Sequence, residues 1–403
     1  MAGSGGPLTG LKVIELAHIM AGPVCGIMLA DMGADVIKVE KVPGGDDSRR
    51  FLPPDIGGES AAFMMMNRNK RGIAIDLKNE SGKDVLCRLL KDADVVTENY
   101  RADTMDKLGL GYDKLRNINP GLIYCAISGF GRTGPYAQRG GFDLIAQGMS
   151  GLMSITGEGP GRPPVKMGAP ITDITAGILG AMAIAAAYAH KLKTGEGQMI
   201  DTSLFEAGIV HTYWQSAIGL ATGTPPGPLG TAHPLNAPYQ AFQTEDGWIT
   251  IGAANQNNWE RFLEVLDAPA LARDPRFKKS ADRMAHVAEL ADLVGKIIIT
   301  RSTDDWLGRL RKAGVPAGPV LNVNEMHRDP HTLARDMVVE VDHPKLGPVK
   351  TIGLPVHFSG TPGKVARAAP IYGQHTREVL VEHGFKPAEI DKLVETGAIV
   401  AAD

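Results

Sequence analysis

Short β-branched and apolar runs alternate with helix-like amphipathic stretches over the first half of the chain. The runs predict buried strands, and the stretches between them predict helices. Predicted strands lie at residues 11–16, 34–39, 73–75, 95–97 and 123–127, and predicted helices at residues 23–32 and 82–91. This order of elements predicts an α/β fold in which helices flank a doubly wound, Rossmann-like parallel sheet.

An apolar, alanine-rich run at residues 174–189 predicts a buried helix. The run is shorter than the roughly 18 residues that a membrane span needs, and it contains Gly177 and Gly180. Because the run is too short to span a membrane, a membrane partner is not expected.

A strand is predicted next, at residues 198–202, and the Gly- and Pro-dense segment at residues 221–238 predicts a linker.

The pattern after the linker is typical of a smaller α+β domain that ends near Val320 or Val323. Within it we expect one strand and two helices, and after it one strand and a final helix. The predicted strands lie at residues 248–251 and 338–341, and the predicted helices at residues 258–266, 285–299 and 374–382. At 403 residues, the chain exceeds what a single hydrophobic core usually organises, which also favours two domains.

Composition narrows the class of protein. The formal net charge is −3, with acids and bases nearly balanced, so a nucleic-acid partner is not expected. Cys25, Cys87 and Cys125 are too few and too scattered for a disulfide framework, which favours a reducing compartment. No basic segment followed by an apolar stretch opens the sequence. We expect a cytoplasmic protein, or one of a matrix-like mitochondrial compartment if the source is eukaryotic.

Several common catalytic motifs are missing. The segment between the first strand and its helix, residues 17–23, has one glycine and fits neither a dinucleotide fingerprint nor a Walker A loop. His327 and His331 lack the glutamate of a zincin, and Pro330 between them breaks a helix, so no metal site is expected. There is no G-x-S-x-G elbow for a nucleophilic serine. Hydride transfer, metal-dependent hydrolysis and serine hydrolysis are therefore disfavoured.

Basic residues concentrate near predicted strand ends in the first 110 positions. They are Lys38, Lys41, Arg49, Arg50, Arg68, Lys70, Arg71, Lys78, Arg101 and Lys107. Such a cluster can give a phosphate-rich ligand charge-assisted hydrogen bonds. An ordinary solvated face is the alternative interpretation.

Asp173 stands immediately ahead of the alanine-rich run. The simplest interpretation is that its side chain caps the helix N-terminus. The location also suits chemistry, because the positive end of a helix dipole favours an ionised carboxylate and the ionised form is the nucleophile. The two roles are compatible, and both remain open at this point.

Seven further segments carry a family resemblance that extends through nearly the whole chain. They are residues 34–40, 67–71, 75–78, 98–101, 128–131, 143–147 and 238–242. With the context of Asp173, they resemble the class III CoA-transferases, the family of formyl-CoA transferase and carnitine CoA-transferase. That family also holds alpha-methylacyl-CoA racemase as a divergent branch.

The resemblance implies an architecture and a set of substrates. It implies a large CoA-binding domain made of residues 1–220 and 330–403, a small domain at residues 225–325, and two interlocked subunits in a homodimer. It implies coenzyme A or acyl-CoA and a small carboxylic acid as substrates, with no permanently bound cofactor. The basic cluster then acquires a ligand in the phosphates of coenzyme A.

The resemblance also implies roles for individual residues. The family's catalytic aspartate falls on Asp173, which would form a mixed anhydride with the donor acyl group and then a thioester with CoA. The family's CoA-contacting positions fall on Met20, Ala21, Lys41, Ile75, Asp76, Leu77, Lys78, Asn99, Tyr100, Arg101, Lys107, Gly141 and Phe142.

Two departures from the family pattern affect function. A glycine-rich loop of the small domain closes over the intermediates in relatives, and here the matching stretch contains Gly252, Ala253 and Gln256. Gln256 would still offer an amide donor to an oxyanion. Phe142 occupies the place of the histidine in the racemase branch, and racemisation needs an acid and a base on opposite faces. Without that histidine one of the two partners is missing, which disfavours a racemase. A racemase and a non-catalytic CoA-binding module remain the alternatives to CoA transfer.

The substrate is inferred from a branch of the family. The chain looks most like enzymes that move CoA between short dicarboxylates, including at residues 230–233 and 314–319. This favours succinyl-CoA or another short dicarboxyl-CoA as donor. A dicarboxylate needs a cation for its distal carboxylate, and Arg50, Arg68 and His18 are the candidates.

Overall fold

The structure, a computed structural model, describes residues 5–402. Its strands are β1 (Lys12–Glu15), β2 (Asp35–Lys41), β3 (Asp55–Ile56), β4 (Glu59–Ser60), β5 (Arg71–Ile75), β6 (Val95–Glu98), β7 (Ile123–Ser128), β8 (Met199–Ser203), β9 (Tyr239–Gln243), β10 (Trp248–Gly252), β11 (Ala317–Pro319), β12 (Val338–His343), β13 (Gly347–Ile352) and β14 (Ile399–Val400). Short 3₁₀ turns lie at Asp47–Arg50, Val210–Thr212 and Pro275–Phe277.

Helices connect and cover these strands. They are α1 (Ala21–Asp31), α2 (Ala61–Asn67), α3 (Glu80–Lys91), α4 (Thr104–Lys107), α5 (Tyr112–Ile118), α6 (Asp143–Met149), α7 (Leu152–Ile155), α8 (Ile171–Thr194), α9 (Leu204–Ile209), α10 (Tyr213–Thr222), α11 (Gln256–Leu266), α12 (Pro269–Arg273), α13 (Ser280–Ala285), α14 (Val287–Ile298), α15 (Thr303–Ala313), α16 (Val323–Met326), α17 (Pro330–Ala334), α18 (Thr376–Glu382) and α19 (Pro387–Glu395).

Each predicted strand and helix has a counterpart here, and the α/β class is confirmed. The expectation that residues 374–382 form the last helix is wrong, because α19 and β14 follow it. Pro387 in the first turn of α19 and Gly397 beyond its end, with φ of 69°, are the signals that mark this helix.

A seven-stranded sheet organises the large unit, which consists of residues up to 152, residues 167–211 and residues from 330 onward. The strand order is β14-β5-β2-β1-β6-β7-β8, and neighbouring strands are parallel except for β14. Side chains alternate between the two faces. Ile14 and Ile37 pack under α3 and α18, whereas Val13 and Val36 pack under α1 and α8. Because both faces are buried, the strands are continuous apolar runs.

The end of the chain returns to this sheet. Ile399 and Val400 of β14 pair antiparallel with Ile75 and Ala74 of β5. Helices α18 and α19 place Val379, Leu380 and Ile390 in the core on the same face as α3. The C-terminal segment therefore supplies an edge strand and two core helices of the large unit.

Helix α8 is longer than the predicted run of residues 174–189: it has 24 residues and ends at Gly195, whose φ is 78°. By length and composition alone it could cross a membrane, a test that core helices of soluble proteins also pass. In the large unit, Ala181 and Ile184 are buried against α1. A Cβ atom on Gly177 would lie 2.5 Å from the Ala21 carbonyl oxygen, so this glycine lets the N-terminal parts of α1 and α8 approach closely.

The small unit consists of residues 153–166 and 212–329. A three-stranded antiparallel sheet, in the order β11-β10-β9, packs on helices whose core side chains include Trp259, Phe262 and Trp306. Its boundaries differ from the expected 225–325, because α10 and residues 153–166 group with it. The Gly- and Pro-rich segment lies inside this unit, where Gly230 N–H donates to the Gly157 carbonyl at 2.8 Å.

Candidate active site

A cavity of about 310 Å³ lies in the large unit, beyond the carboxyl ends of β1, β6 and β7. The strand order reverses between β1 and β6, and ligands of open α/β sheets bind outside the strand ends at such a point. The cavity is lined by His18, Ile19, Met20, Ala21, Lys41, Asp47, Asn99, Tyr100, Ile127, Ser128, Gly129, Gly141, Phe142, Asp173 and Leu204. Nine residues of this lining belong to the predicted site.

Asp173 lies in the first turn of α8 but does not cap it. Pro170 is the N-cap residue, so the capping interpretation of Asp173 is wrong. Asp143 supplies an acceptor for a backbone N–H in the first turn of α8 instead. Its Oδ1 accepts hydrogen bonds from Thr172 N–H at 3.0 Å and from Thr172 Oγ1 at 2.8 Å. The Asp173 carboxylate is therefore left to face the cavity rather than the helix backbone.

The protonation of Asp173 also differs from the expectation. Burial, together with the nearby negative charge of Asp143, raises the pKa of Asp173 from 3.8 to about 7. Desolvation disfavours the charged form more than the helix dipole favours it. Near neutral pH the side chain is therefore divided between a carboxylic acid and a nucleophilic carboxylate.

The loop between β1 and α1 forms one wall of the cavity. His18 N–H donates to Asn99 Oδ1 at 2.8 Å, and Asn99 Nδ2 donates back to the His18 carbonyl at 2.7 Å. The His18 ring lies beside Tyr100, with Nε2 3.1 Å from the phenolic oxygen. Burial and the charge of Lys38 lower the pKa of His18 to about 4. The ring is neutral near pH 7, so His18 can exchange hydrogen bonds but does not supply a cation for a distal carboxylate.

Two glycines form another part of the cavity wall, at a close backbone crossing. A Cβ atom on Gly141 would lie 2.6 Å from Gly129 Cα, and one on Gly129 would lie equally close to Gly141 Cα. Real Cβ atoms do not come this close. These positions therefore require glycine because two loops that line the cavity touch there.

Gly141→Ala is expected to lower activity about tenfold or more, because the added methyl group pushes the two loops apart and displaces the lining residues. Gly140→Ala is the matched control in the same loop. Its Cβ atom would lie 3.6 Å from Arg101, an ordinary contact distance. Steady-state rates and thermal unfolding of both variants check this prediction, and equal rates for the two variants would contradict it.

A second cavity, of about 430 Å³, adjoins the first and shares His18, Lys41 and Tyr100 with it. Its lining includes Ile75, Asp76, Leu77 and Lys78, which were predicted from the resemblance. The structure thus gathers most of the predicted CoA contacts along two connected cavities.

Other predicted residues lie elsewhere. Arg101 and Lys107 are exposed and do not line either cavity, and Lys107 pairs with Asp103. Arg50 is exposed, lies outside both linings and pairs with Asp47.

The basic cluster of the sequence divides into buried and exposed members. Arg68 is buried and pairs with Asp31 at 2.6 Å, so it is not available to read a substrate carboxylate. Lys38 and Lys70 are fully buried in ion pairs with Glu15. The basic cluster is therefore neither one solvated face nor one phosphate-binding site, the two interpretations that the sequence left open. Among the predicted CoA contacts, Lys41 and Lys78 are the cations on the cavity walls.

The stretch predicted to close over the site belongs to the small unit. Gly252 ends β10, Ala253 is buried, and Gln256 begins α11. Gln256 Nε2 donates to Glu260 Oε1 at 3.0 Å, and its Oε1 accepts from Arg283 at 3.0 Å. The side-chain amide is thus engaged within its own unit.

Sequence reasoning missed several lining residues, including Ile19, Asp47, Ser128 and Leu204. Ser128 follows a predicted strand directly, so its position at the carboxyl edge could have been inferred. Ile19 and Leu204 carry no chemical signal in the sequence, and Asp47 lies in a turn that no periodic pattern marks.

Comparison with known proteins decides the family. The model of CoA-transferase family III matches residues 8–376. The chain belongs to CoA-transferase family III. Succinate–glutarate CoA-transferase of Agrobacterium fabrum is 42% identical over 93% of this chain and 95% of its own. Human succinyl-CoA:glutarate CoA-transferase is 37% identical over 98% of this chain and 90% of its own.

A solved structure supports the same family assignment. A CaiB/BaiF family protein from Brucella suis is 41% identical, with a TM-score of 0.84 over 94% of this chain and all of that one. The chain is therefore an enzyme, a CoA-transferase of the EC 2.8.3 type, and the resemblance drawn from the sequence segments is confirmed. Acyl-CoA and a carboxylic acid are its classes of substrate.

Proposed function

We propose that the enzyme moves CoA from succinyl-CoA, or another short dicarboxyl-CoA, to a carboxylic acid through covalent intermediates on Asp173. One observation carries the proposal: a carboxylate that caps nothing faces a cavity lined by the predicted CoA contacts. The dicarboxylate preference is supported by relatives that are named for succinate and glutarate.

The reaction keeps an activated acyl group at each stage, either as a thioester or as an anhydride. The Asp173 carboxylate attacks the donor thioester, CoA thiolate leaves, and a mixed anhydride forms. The thiolate then attacks the aspartyl carbonyl, which releases the donor acid and leaves an aspartyl-CoA thioester. The acceptor carboxylate attacks this thioester to form a second anhydride, and the released thiolate takes the acceptor acyl group. Asp173 returns to a carboxylate.

The two cavities suit an elongated substrate. We place the reacting thioester in the cavity that contains Asp173 and the rest of CoA along the neighbouring cavity. Lys41 lies on the shared wall and Lys78 on the second cavity, so both can meet phosphate groups. The apolar lining from Ile127 and Leu204 reduces the access of water to the intermediates.

The finer architecture belongs to the same proposal. The order β5-β2-β1-β6-β7-β8 supports a Rossmann-like description of the parallel sheet. Exposed apolar side chains such as Met182, 62% exposed, and Leu192, 70% exposed, support an interlocked homodimer that covers them. Sedimentation equilibrium tests the dimer, and the mass of one chain would contradict it.

A substrate panel tests the proposed function. We expect succinyl-CoA with glutarate or another short dicarboxylate to react at least about tenfold faster than with monocarboxylates. The relatives named for succinate and glutarate support a site that binds the second carboxylate, and such a site is left unpaired by an acid that lacks it. The measurement is the rate of new acyl-CoA formation, followed by chromatography for each acceptor. Preference for monocarboxylates or carnitine would contradict the proposal. Deuterium uptake at the α carbon without acid exchange would favour a racemase.

A further inference from the structure

Ile19 has an unusual backbone conformation on the wall of the catalytic cavity. Its φ is 68°, in the left-handed region that a β-branched residue rarely adopts. The residue lies between β1 and α1, and Ile19, Met20 and Ala21 all line the cavity with Asp173. A strained conformation persists when surrounding groups hold it, and such strain concentrates at functional sites.

Asp46 holds the Ile19 backbone. The Ile19 N–H donates to both oxygens of the Asp46 carboxylate, at 3.1 Å to Oδ1 and 3.2 Å to Oδ2. Asp46 is fully buried, and Ser48 fixes its Oδ1 through the backbone N–H at 2.9 Å and the hydroxyl at 2.8 Å. Lys38 Nζ lies 2.8 Å from Oδ2. The carboxylate thus has donors on both oxygens and little freedom to move.

A buried charge cluster anchors Asp46 to the sheet; it comprises Glu15, Lys38, Asp46 and Lys70. All four side chains are fully buried, and the two cations balance the two anions. Glu15 lies 3.1 Å from Lys38 Nζ and 2.9 Å from Lys70 Nζ. Lys38 also donates to the Ala17 carbonyl, and Lys70 to the Pro23 carbonyl, each at 2.9 Å. The cluster therefore anchors both the loop between β1 and α1 and the first turn of α1 through hydrogen bonds to their carbonyl groups.

We propose that Asp46 is a positioning residue for CoA transfer: it holds Ile19 in the left-handed conformation and thereby fixes the cavity wall that faces Asp173. The inference rests on the proposed function, because it assigns Asp46 to the reaction at Asp173. Asp46 does not line the cavity and acts through the loop. A purely structural buried carboxylate would stabilise the fold without controlling the rate.

The test uses strain relief at position 19. In Asp46→Asn one carboxylate oxygen becomes an NH₂ group, which then faces a donor, either Lys38 at the Oδ2 position or the Ser48 N–H at the Oδ1 position. The Ile19 N–H, which contacts both oxygens, keeps only one acceptor. We expect kcat to fall about 100-fold, because misplacing a cavity wall by about 1 Å has an effect of that size. Glycine adopts positive φ without strain, so Asp46→Asn combined with Ile19→Gly should recover kcat about tenfold over Asp46→Asn alone.

Asp31→Asn is the matched control, since it also breaks a buried ion pair, with Arg68, away from the cavity. It should lower the thermal midpoint but change kcat by less than about threefold. If Asp46→Asn does not fold, Ser48→Ala removes one hydrogen bond to Asp46 and should lower kcat about threefold. Unchanged kcat in Asp46→Asn or in Ser48→Ala, or no recovery in the double variant, would overturn the proposal.

A substrate-free measurement separates this inference from the proposed function. Hydrogen exchange at the Ile19 amide should be at least about tenfold faster in Asp46→Asn and unchanged in Asp31→Asn. Exchange that stays at the wild-type rate in Asp46→Asn refutes the positioning role. If the wild-type enzyme transfers no CoA between acids, the proposed function fails, and faster exchange would still support the hold of Asp46 on the loop.

Discussion

Asp173→Asn is expected to lower CoA transfer by about 10⁴-fold or more, the scale seen when a nucleophile is removed from a covalent mechanism. The amide cannot form the anhydride or the aspartyl-CoA thioester, yet it has nearly the same size as the carboxyl group, so the cavity keeps its shape. The measurement combines the steady-state rate with trapping. Wild-type enzyme incubated with succinyl-CoA and hydroxylamine should carry a hydroxamate on Asp173, detected by mass spectrometry.

Asp84→Asn provides the control for this prediction, because Asp84 is an exposed carboxylate on α3 outside both cavities. Asp84→Asn should transfer CoA at the wild-type rate and should carry the same hydroxamate on Asp173. CoA binding by calorimetry should survive in Asp173→Asn, which shows that the cavity remains intact. Full turnover in Asp173→Asn, or a hydroxamate on another residue, would refute the nucleophile assignment.

The position of the site could be predicted from the sequence because it depends on local order. His18, Asn99 and Ser128 each follow a predicted strand, and parallel strands bring their carboxyl ends to one edge of the sheet. Recognition of parallel strands is therefore enough to place these residues at one edge of the sheet, and the strand order of the structure makes them neighbours. Asp173 joins them because α8 begins at the same edge, beside the start of α1.

The electrostatic state of the site could not be predicted, because it depends on residues distant in the sequence. Asp143 takes the capping role that the local pattern assigned to Asp173, although 29 residues separate it from Thr172. The burial of Arg68, which follows α2, depends on its partner Asp31 at the end of α1. Long-range contacts of this kind decide whether a charged side chain is a ligand contact or a structural ion pair.

The pH dependence of kcat/KM follows from the raised pKa of Asp173. The carboxylate is the reactive form, so kcat/KM should rise through a midpoint near pH 7 and fall about tenfold per pH unit below it. An aspartate at the ordinary value of 3.8 would give a flat profile from about pH 5 upward. Asp143→Asn removes one cause of the raised pKa and should move the midpoint to lower pH, while burial, the larger cause, keeps it above 3.8.

The asparagine side chain of this variant retains an oxygen that can accept from Thr172 N–H and preserve the start of α8. It loses the hydrogen bond that Gln147 Nε2 donates to Asp143 Oδ2 at 2.7 Å, so the sign of the rate change separates electrostatics from damage. At pH values well below 7, Asp143→Asn should be faster than the wild type, a gain that general disruption of the site does not produce. The phosphate groups of CoA titrate equally in both enzymes, so the difference between the two profiles belongs to the protein. A midpoint unchanged by Asp143→Asn would show that the charge of Asp143 does not control Asp173.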